Sequence, residues 1–286
     1  MNGSHTMQWR RALCYPHAMV FGLKRIAPPR VVLGIFAAVA ALQIPADLII
    51  GRLSTAWGIL INESLFILAT PLAILRLSGF SPPSFLPLKK LGVRRLIVAV
   101  CFTMGGAILL SYAQSLSSEI IRIPDFIIER QSHPMGVTSW EDFYLKLLLL
   151  CLVAPFCEEV LFRGIIQESL TRSMGDLRAV ALTSIFFALI HSATFQPHLY
   201  LTLGIVLSFI YAATRSLRTA IICHSINNTL VLLNQINRIS FPMEVPPGAA
   251  DAALIALCTA MVAAGAFALR RMMSKRRAAQ AGRPTP

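Results

Sequence analysis

The chain has 286 residues, of which 56% are hydrophobic and only 14% charged, with mean hydropathy +0.66 and a formal net charge of +13. Soluble domains carry about 25% charged residues, so the composition excludes a soluble globular protein and points to a polytopic membrane protein. The basic excess is not read as a nucleic-acid surface, because the Lys and Arg residues cluster at the ends of apolar segments, where cytoplasmic flanks and anionic inner-leaflet lipids place them.

Residues 1–30 form a basic N-terminal segment, with Arg10, Arg11, Lys24, Arg25 and Arg30. The first apolar run begins at Val31, late for a cleaved signal peptide, and is read as an uncleaved first span. Spans of about 20 apolar residues are predicted near 31–50, 57–75, 95–115, 144–168, 178–194, 199–214, 219–236 and 249–270. The expected organisation is all-α: one transmembrane helical bundle over 31–270, a motif-bearing core at 144–236 and a basic tail at 271–286. Loop charge supports eight spans. The loops at 76–95, 169–178 and 215–218 and the tail are basic, whereas those between are poor in base or, at 116–143, acidic. The alternation places both termini in the cytoplasm, and a seven-span arrangement breaks it.

Glu63, beside Asn62 in the second span, is a lone intramembrane acid, and Thr70-Pro71 marks a kink in the same span. The 116–143 loop contains an amphipathic stretch around Ile120–Ile128 that suits the membrane interface. Of the six cysteines, Cys101, Cys151, Cys157, Cys223 and Cys258 lie in apolar segments and are read as small core hydrophobes. Cys157, next to two carboxylates, is also a conceivable thiol nucleophile.

Glu158 and Glu159 are those carboxylates, at the centre of the apolar stretch from Tyr144 to Leu170. Each buried charge at membrane depth costs about 2.5–3.5 kcal/mol on insertion scales, and such residues mark function by default. Glu159 and Arg163 are four apart and form a natural intrahelical ion pair. Glu158 is rotated by about 100° and points elsewhere, left for chemistry. Phe187 and His191 share a face in the next span, and His224 and Asn228 share one in the span after the following. Alone, each pair reads as packing or as an interhelical hydrogen-bond clamp. Together, an embedded carboxylate, two imidazoles and an amide suffice for general-base activation of water and oxyanion stabilisation. On a straight-helix count, however, Glu158 and His191 lie deeper from the inner face than His224. Tilt, or a later start of the fifth span, would reconcile them.

Glu158-Glu159-x-x-x-Arg163, Phe187-x-x-x-His191 and His224-x-x-x-Asn228 resemble, in order and relative spacing, the three motifs of the CAAX protease and bacteriocin-processing (CPBP, or Abi) family of intramembrane proteases. The resemblance covers about 144–234; elsewhere the eight-span count is similar to that of the CAAX prenyl endopeptidase branch. It implies a multi-pass membrane endopeptidase of the glutamate type; the absence of ER-retention or organelle signals favours a bacterial cell (inner) membrane. Glu158 would be the general base with His191; His224 and Asn228 would hold the oxyanion; Glu159, Arg163 and Phe187 would support them. It implies no metal and no cofactor, and as partners a membrane-associated peptide or protein substrate, prenylated or leader-type, within a lipid bilayer. Oligomeric state is not readable. Three rival readings remain. A zinc site of one Glu and two His is compatible with the donor types, although no H-E-x-x-H occurs. A non-catalytic partner or immunity protein of the same fold would use the polar groups as interhelical glue. A transporter would use the acids as a proton relay, but no inverted repeat supports it.

Overall fold

The computed structural model describes residues 27–50, 55–80, 92–120, 137–191, 197–236, 239 and 247–281. Among them are eight helices and no strand: α1 (Pro29–Ile50), α2 (55–77), α3 (Val93–Ile120), α4 (140–174), α5 (Asp176–Ile190), α6 (Pro197–Thr214), α7 (Leu217–Gln235) and α8 (Ala249–Ala281). Each coincides with a predicted span, with ends displaced by a few residues and α8 running on through its basic stretch. The amphipathic stretch beyond Ile120, and most of the N-terminal segment, lie outside the described residues. Among the described residues four helices are long and apolar enough to cross a bilayer: Ala56–Leu77, Val93–Ser117, Pro197–Thr214 and Ala249–Ala279. Large apolar side chains such as Leu33, Leu65, Ile97, Leu152, Ile205 and Phe267 face outward, as a lipid-facing surface requires. Trp57, Trp140 and Tyr144 are exposed near helix starts, the positions of interfacial aromatic belts. The chain is a multi-pass helical membrane protein.

The central element is α4. Every residue of its Val160–Gln167 segment is buried, and it touches α1, α2, α5, α6 and α7. Its start is set by Ser139, whose side chain accepts from Asp142 N–H at 3.2 Å, while the Asp142 carboxylate accepts from Thr138 N–H at 3.0 Å. At about 1.5 Å per residue its length exceeds the roughly 30 Å of a hydrocarbon core, so the helix tilts or projects. Gly175, at φ +84, then reverses the chain into α5. Gly204 lets α6 approach α5: a Cβ there would lie 3.1 Å from Ser184 Cα.

Two of the helices contain π-helical turns (N–H bonded to the fifth preceding carbonyl) just before a proline. In α2 the wide segment is Asn62–Ala69 and ends at Thr70-Pro71; in α4 it is Leu149–Val153 and ends at Ala154-Pro155. Proline lacks an N–H and its ring collides with the carbonyl four residues back; the extra residue per turn absorbs that collision. The expected kink at Pro71 therefore takes the form of a π-helical segment in a continuous helix. A third wide segment, Val160–Gln167, follows the two carboxylates. Of the cysteines, Cys151, Cys157, Cys223 and Cys258 are buried and free, as expected of small core residues; Cys101 is exposed instead, on the outer face of α3.

Candidate active site

Three of the four chemistry-bearing residues meet at α4. His191 Nε2 lies 3.8 Å from Glu158 Oε1, and His224 Nε2 lies 3.9 Å from Glu158 Oε2. Glu158 is 7% exposed and His224 2%. The carboxylate therefore sits between two imidazoles, at spacings too long for direct hydrogen bonds and short enough for each pair to share a water.

The depth mismatch expected from a straight-helix count does not arise, and its cause is a stagger of the turns. A later start of the fifth span is not the reason, since α5 begins at Asp176. Glu168, on α4, accepts from Tyr211 OH at 2.7 Å and pairs with Arg215, in the α6–α7 turn, and with Arg172 at 3.2 Å. This buried cluster ties the α6–α7 turn to α4 well short of the end of α4 at Met174. From Glu168 to Glu158 is ten residues and from Arg215 to His224 nine, so the two helices run back from this tie over similar lengths of chain and the carboxylate and imidazole reach the same level. Arg215 adopts a left-handed φ of +53, a strained conformation for a residue with a Cβ, held there by its partner.

Glu159 and Arg163 are both completely buried and paired at 2.7 Å, as the i,i+4 spacing predicts. Arg163 also donates to Gly204 O at 3.2 Å and lies 4.9 Å over the Phe187 ring. The oxygen of Glu159 that binds Arg163 also lies 2.9 Å from His224 Nδ1. A carboxylate facing it makes Nδ1 a donor and aims Nε2 at Glu158, so Glu159 orients an imidazole as well as pairing an arginine. The i,i+4 spacing in the sequence points only to the second task.

His191 is the C-cap of α5. Its Nδ1 donates to Phe187 O at 2.8 Å, which turns Nε2 to Glu158. Its ring is held between Phe187 (centroids 4.6 Å apart) and Tyr200 of α6 (4.4 Å, planes 12° apart). Phe187 also meets Phe162 and His224 edge-on, at 5.0 and 6.0 Å. Tyr200 was not singled out from the sequence, where one aromatic in an apolar helix carries no distinguishing signal.

Asn228 sits one turn beyond His224. Its Nδ2 donates to Leu150 O at 2.9 Å and its Oδ1 accepts from Asn227 at 3.2 Å. Among the described residues no hydrogen bond joins it to Glu158, His191 or His224. Glu63 is buried, accepts from Asn62 at 3.1 Å, and lies on the α2 segment that packs against Ala154–Glu159. Among the described residues no group of three or more His, Cys, Asp and Glu side chains is arranged to hold a metal ion.

The site thus belongs to a helical membrane protein whose central helix presents one carboxylate to two imidazoles. Residues 140–230, which hold that site, match the family described as type II CAAX prenyl endopeptidase Rce1-like. A Bacillus subtilis (strain 168) protein named "Putative membrane peptidase YdiL" is 28% identical over 100 residues, which are 35% of this chain and 41% of the relative's length. No solved structure matches. The family match falls on the motif-bearing helices, and over them the chain is similar to CAAX-type membrane proteases.

Proposed function

We propose that the protein is an intramembrane endopeptidase of the glutamate type, cutting a membrane-associated peptide or protein. The observation that carries this reading is the placement of Glu158 within 4 Å of both His191 Nε2 and His224 Nε2 inside a helical membrane bundle. A water shared by Glu158 and His191 loses a proton to that pair as it attacks the scissile carbonyl, and the proton passes on to the departing amine. His224 turns Nε2 toward the tetrahedral oxyanion, its ring held through Nδ1 by Glu159. The second N–H of Asn228 serves the same oxyanion. Glu159, Arg163 and Phe187 hold these groups in place.

The alternation of loop charge supports cytoplasmic termini, with the site open to that side or laterally to lipid, in a bacterial inner membrane. Residues 31–270 act as one bundle, and the basic composition of the segments on either side suits anionic lipid. The family resemblance favours a prenylated or leader-type substrate.

The test compares new protein termini, by mass spectrometry, in membranes from cells making wild type or Glu158→Ala at equal abundance. Termini present only with wild type establish proteolysis and name the substrate. Equal termini, with any phenotype of the protein preserved by Glu158→Ala, would favour a non-catalytic membrane partner. With the substrate in hand, Glu158→Ala and His191→Ala abolish turnover. Asn228→Ala leaves a measurable residue, about 100- to 1000-fold down as for loss of one oxyanion donor. Chelators leave the rate unchanged; inhibition by them would favour a zinc enzyme.

A further inference from the structure

Asn228 is on α7, yet its docking point is made by α4. In a regular helix the Leu150 carbonyl would accept from Ala154 N–H. Here Ala154 N–H bonds to Leu149 O, because Leu149–Val153 is wound in wide turns. The next donor in that pattern belongs to residue 155, which is proline and has none. Leu150 O is thereby left without a main-chain donor, and an unpaired backbone carbonyl costs free energy unless another group replaces that donor. The Asn228 amide takes its place, at 2.9 Å. Because a carbonyl can only accept, this contact fixes which end of the amide faces α4; the Asn227 donation to Oδ1 agrees with that orientation. One N–H of Asn228 is committed to Leu150. The other has no partner among the described residues.

We infer that Pro155 is a positioning residue that acts through Asn228: by withholding an N–H from Leu150 O, it creates the acceptor that orients the Asn228 amide and docks α7 on α4. Leu150–Asn228 and Glu159–His224 are then two attachments between the same helices, one turn of α7 apart. Together they fix both the level and the rotation of α7, and with them the direction of the second Asn228 N–H. The catalytic consequence rests on the function proposed above; the docking itself does not.

The test uses the full chain in lipid nanodiscs. Pro155→Ala supplies the missing N–H, either directly to Leu150 O or by letting Leu149–Val153 revert to a regular helix; Pro155→Gly does the same without a side chain if the alanine variant folds poorly. In asparagine-15N-labelled protein, the Asn228 side-chain resonance, assigned by its loss in Asn228→Ala, should move in either variant. The melting temperature should hold or rise, since a helix-interior proline has been removed. Turnover should fall at least tenfold in kcat with KM within about twofold, and Pro155→Ala with Asn228→Ala should be no slower than Asn228→Ala alone. An unmoved Asn228 resonance would overturn the inference, as would losses that multiply in the double variant. If Glu158→Ala remains active, the proposed function fails, and the resonance still decides whether Pro155 orients Asn228.

Discussion

Replacing Glu159 with glutamine separates two tasks that one carboxylate performs. Its partner Arg163 is as buried as Glu159 itself, and the pair is 2.7 Å apart. Removing one member of a buried ion pair strands the other charge and costs about 3–5 kcal/mol. Gly204 O and the Phe187 face still contact Arg163, so the loss should fall near the lower end, about 3 kcal/mol. Glu159→Gln also weakens the hold on His224 Nδ1, and turnover should drop about 100- to 1000-fold, as for loss of one oxyanion donor. Adding Arg163→Met removes the stranded charge. Stability, followed by reversible unfolding in mixed micelles, should then return to within about 1–2 kcal/mol of wild type, because apolar replacements of buried pairs are often neutral. Activity should not return, since His224 remains unheld. A double variant as unstable as Glu159→Gln would refute the argument about the stranded charge. One that regains activity would refute the role of Glu159 in orienting His224.

Tyr200→Phe keeps the ring stacked on His191 and should retain most activity, whereas Tyr200→Leu should lower kcat about tenfold or more with little change in KM, the loss of an aromatic contact worth about 0.5–1.5 kcal/mol being amplified by a misaimed Nε2; steady-state kinetics on the two variants decides. Glu168→Gln should destabilise the protein by about 1.5–3 kcal/mol, the range for charge-assisted bonds, and lower kcat by releasing the α6–α7 turn; distance measurements between spin labels on α4 and α7 should show the helices shifting along one another. Asp142 is held below its ordinary value chiefly by the Lys146 hydrogen bond, and then by Thr138 N–H. Its contribution to the start of α4 is therefore complete above about pH 4, near the unfolded value, and is lost as pH falls through the lower folded value. Protection of the amides at residues 140–144, relative to their intrinsic exchange rates, should fall below about pH 4 in wild type and be insensitive there in Asp142→Asn.

The helices were legible because span length, basic flanks and loop charge are properties of local sequence. The Glu159–Arg163 pair was legible for the same reason: four residues on a helix fix a contact without help from the rest of the fold. Helix ends were harder. Capping by Ser139 starts α4 four residues before its apolar run, and the long stems of Lys and Arg let α8 continue past its own. The meeting of Glu158, His191 and His224 was suggested by residue type but obscured by depth, because counting from coplanar turns ignores the tie between Glu168 and Arg215, 47 residues apart. The wide turns were foreshadowed only by their prolines. That Leu150 would borrow a donor from another helix depends on a partner 78 residues away, and spacing along one helix holds no trace of it.

Asp176, the first residue of α5, is buried and receives Arg276 at 2.6 Å and Arg277 at 3.2 Å, both from the far end of α8. Every side chain of the candidate site has left the ribosome before those two arginines are made. A nascent chain can thus assemble α4 to α7 while the base of α5, the helix that ends at His191, still carries an acid awaiting its counter-ions. The latch closes only once residues 276 and 277 have been made, after every residue of the candidate site.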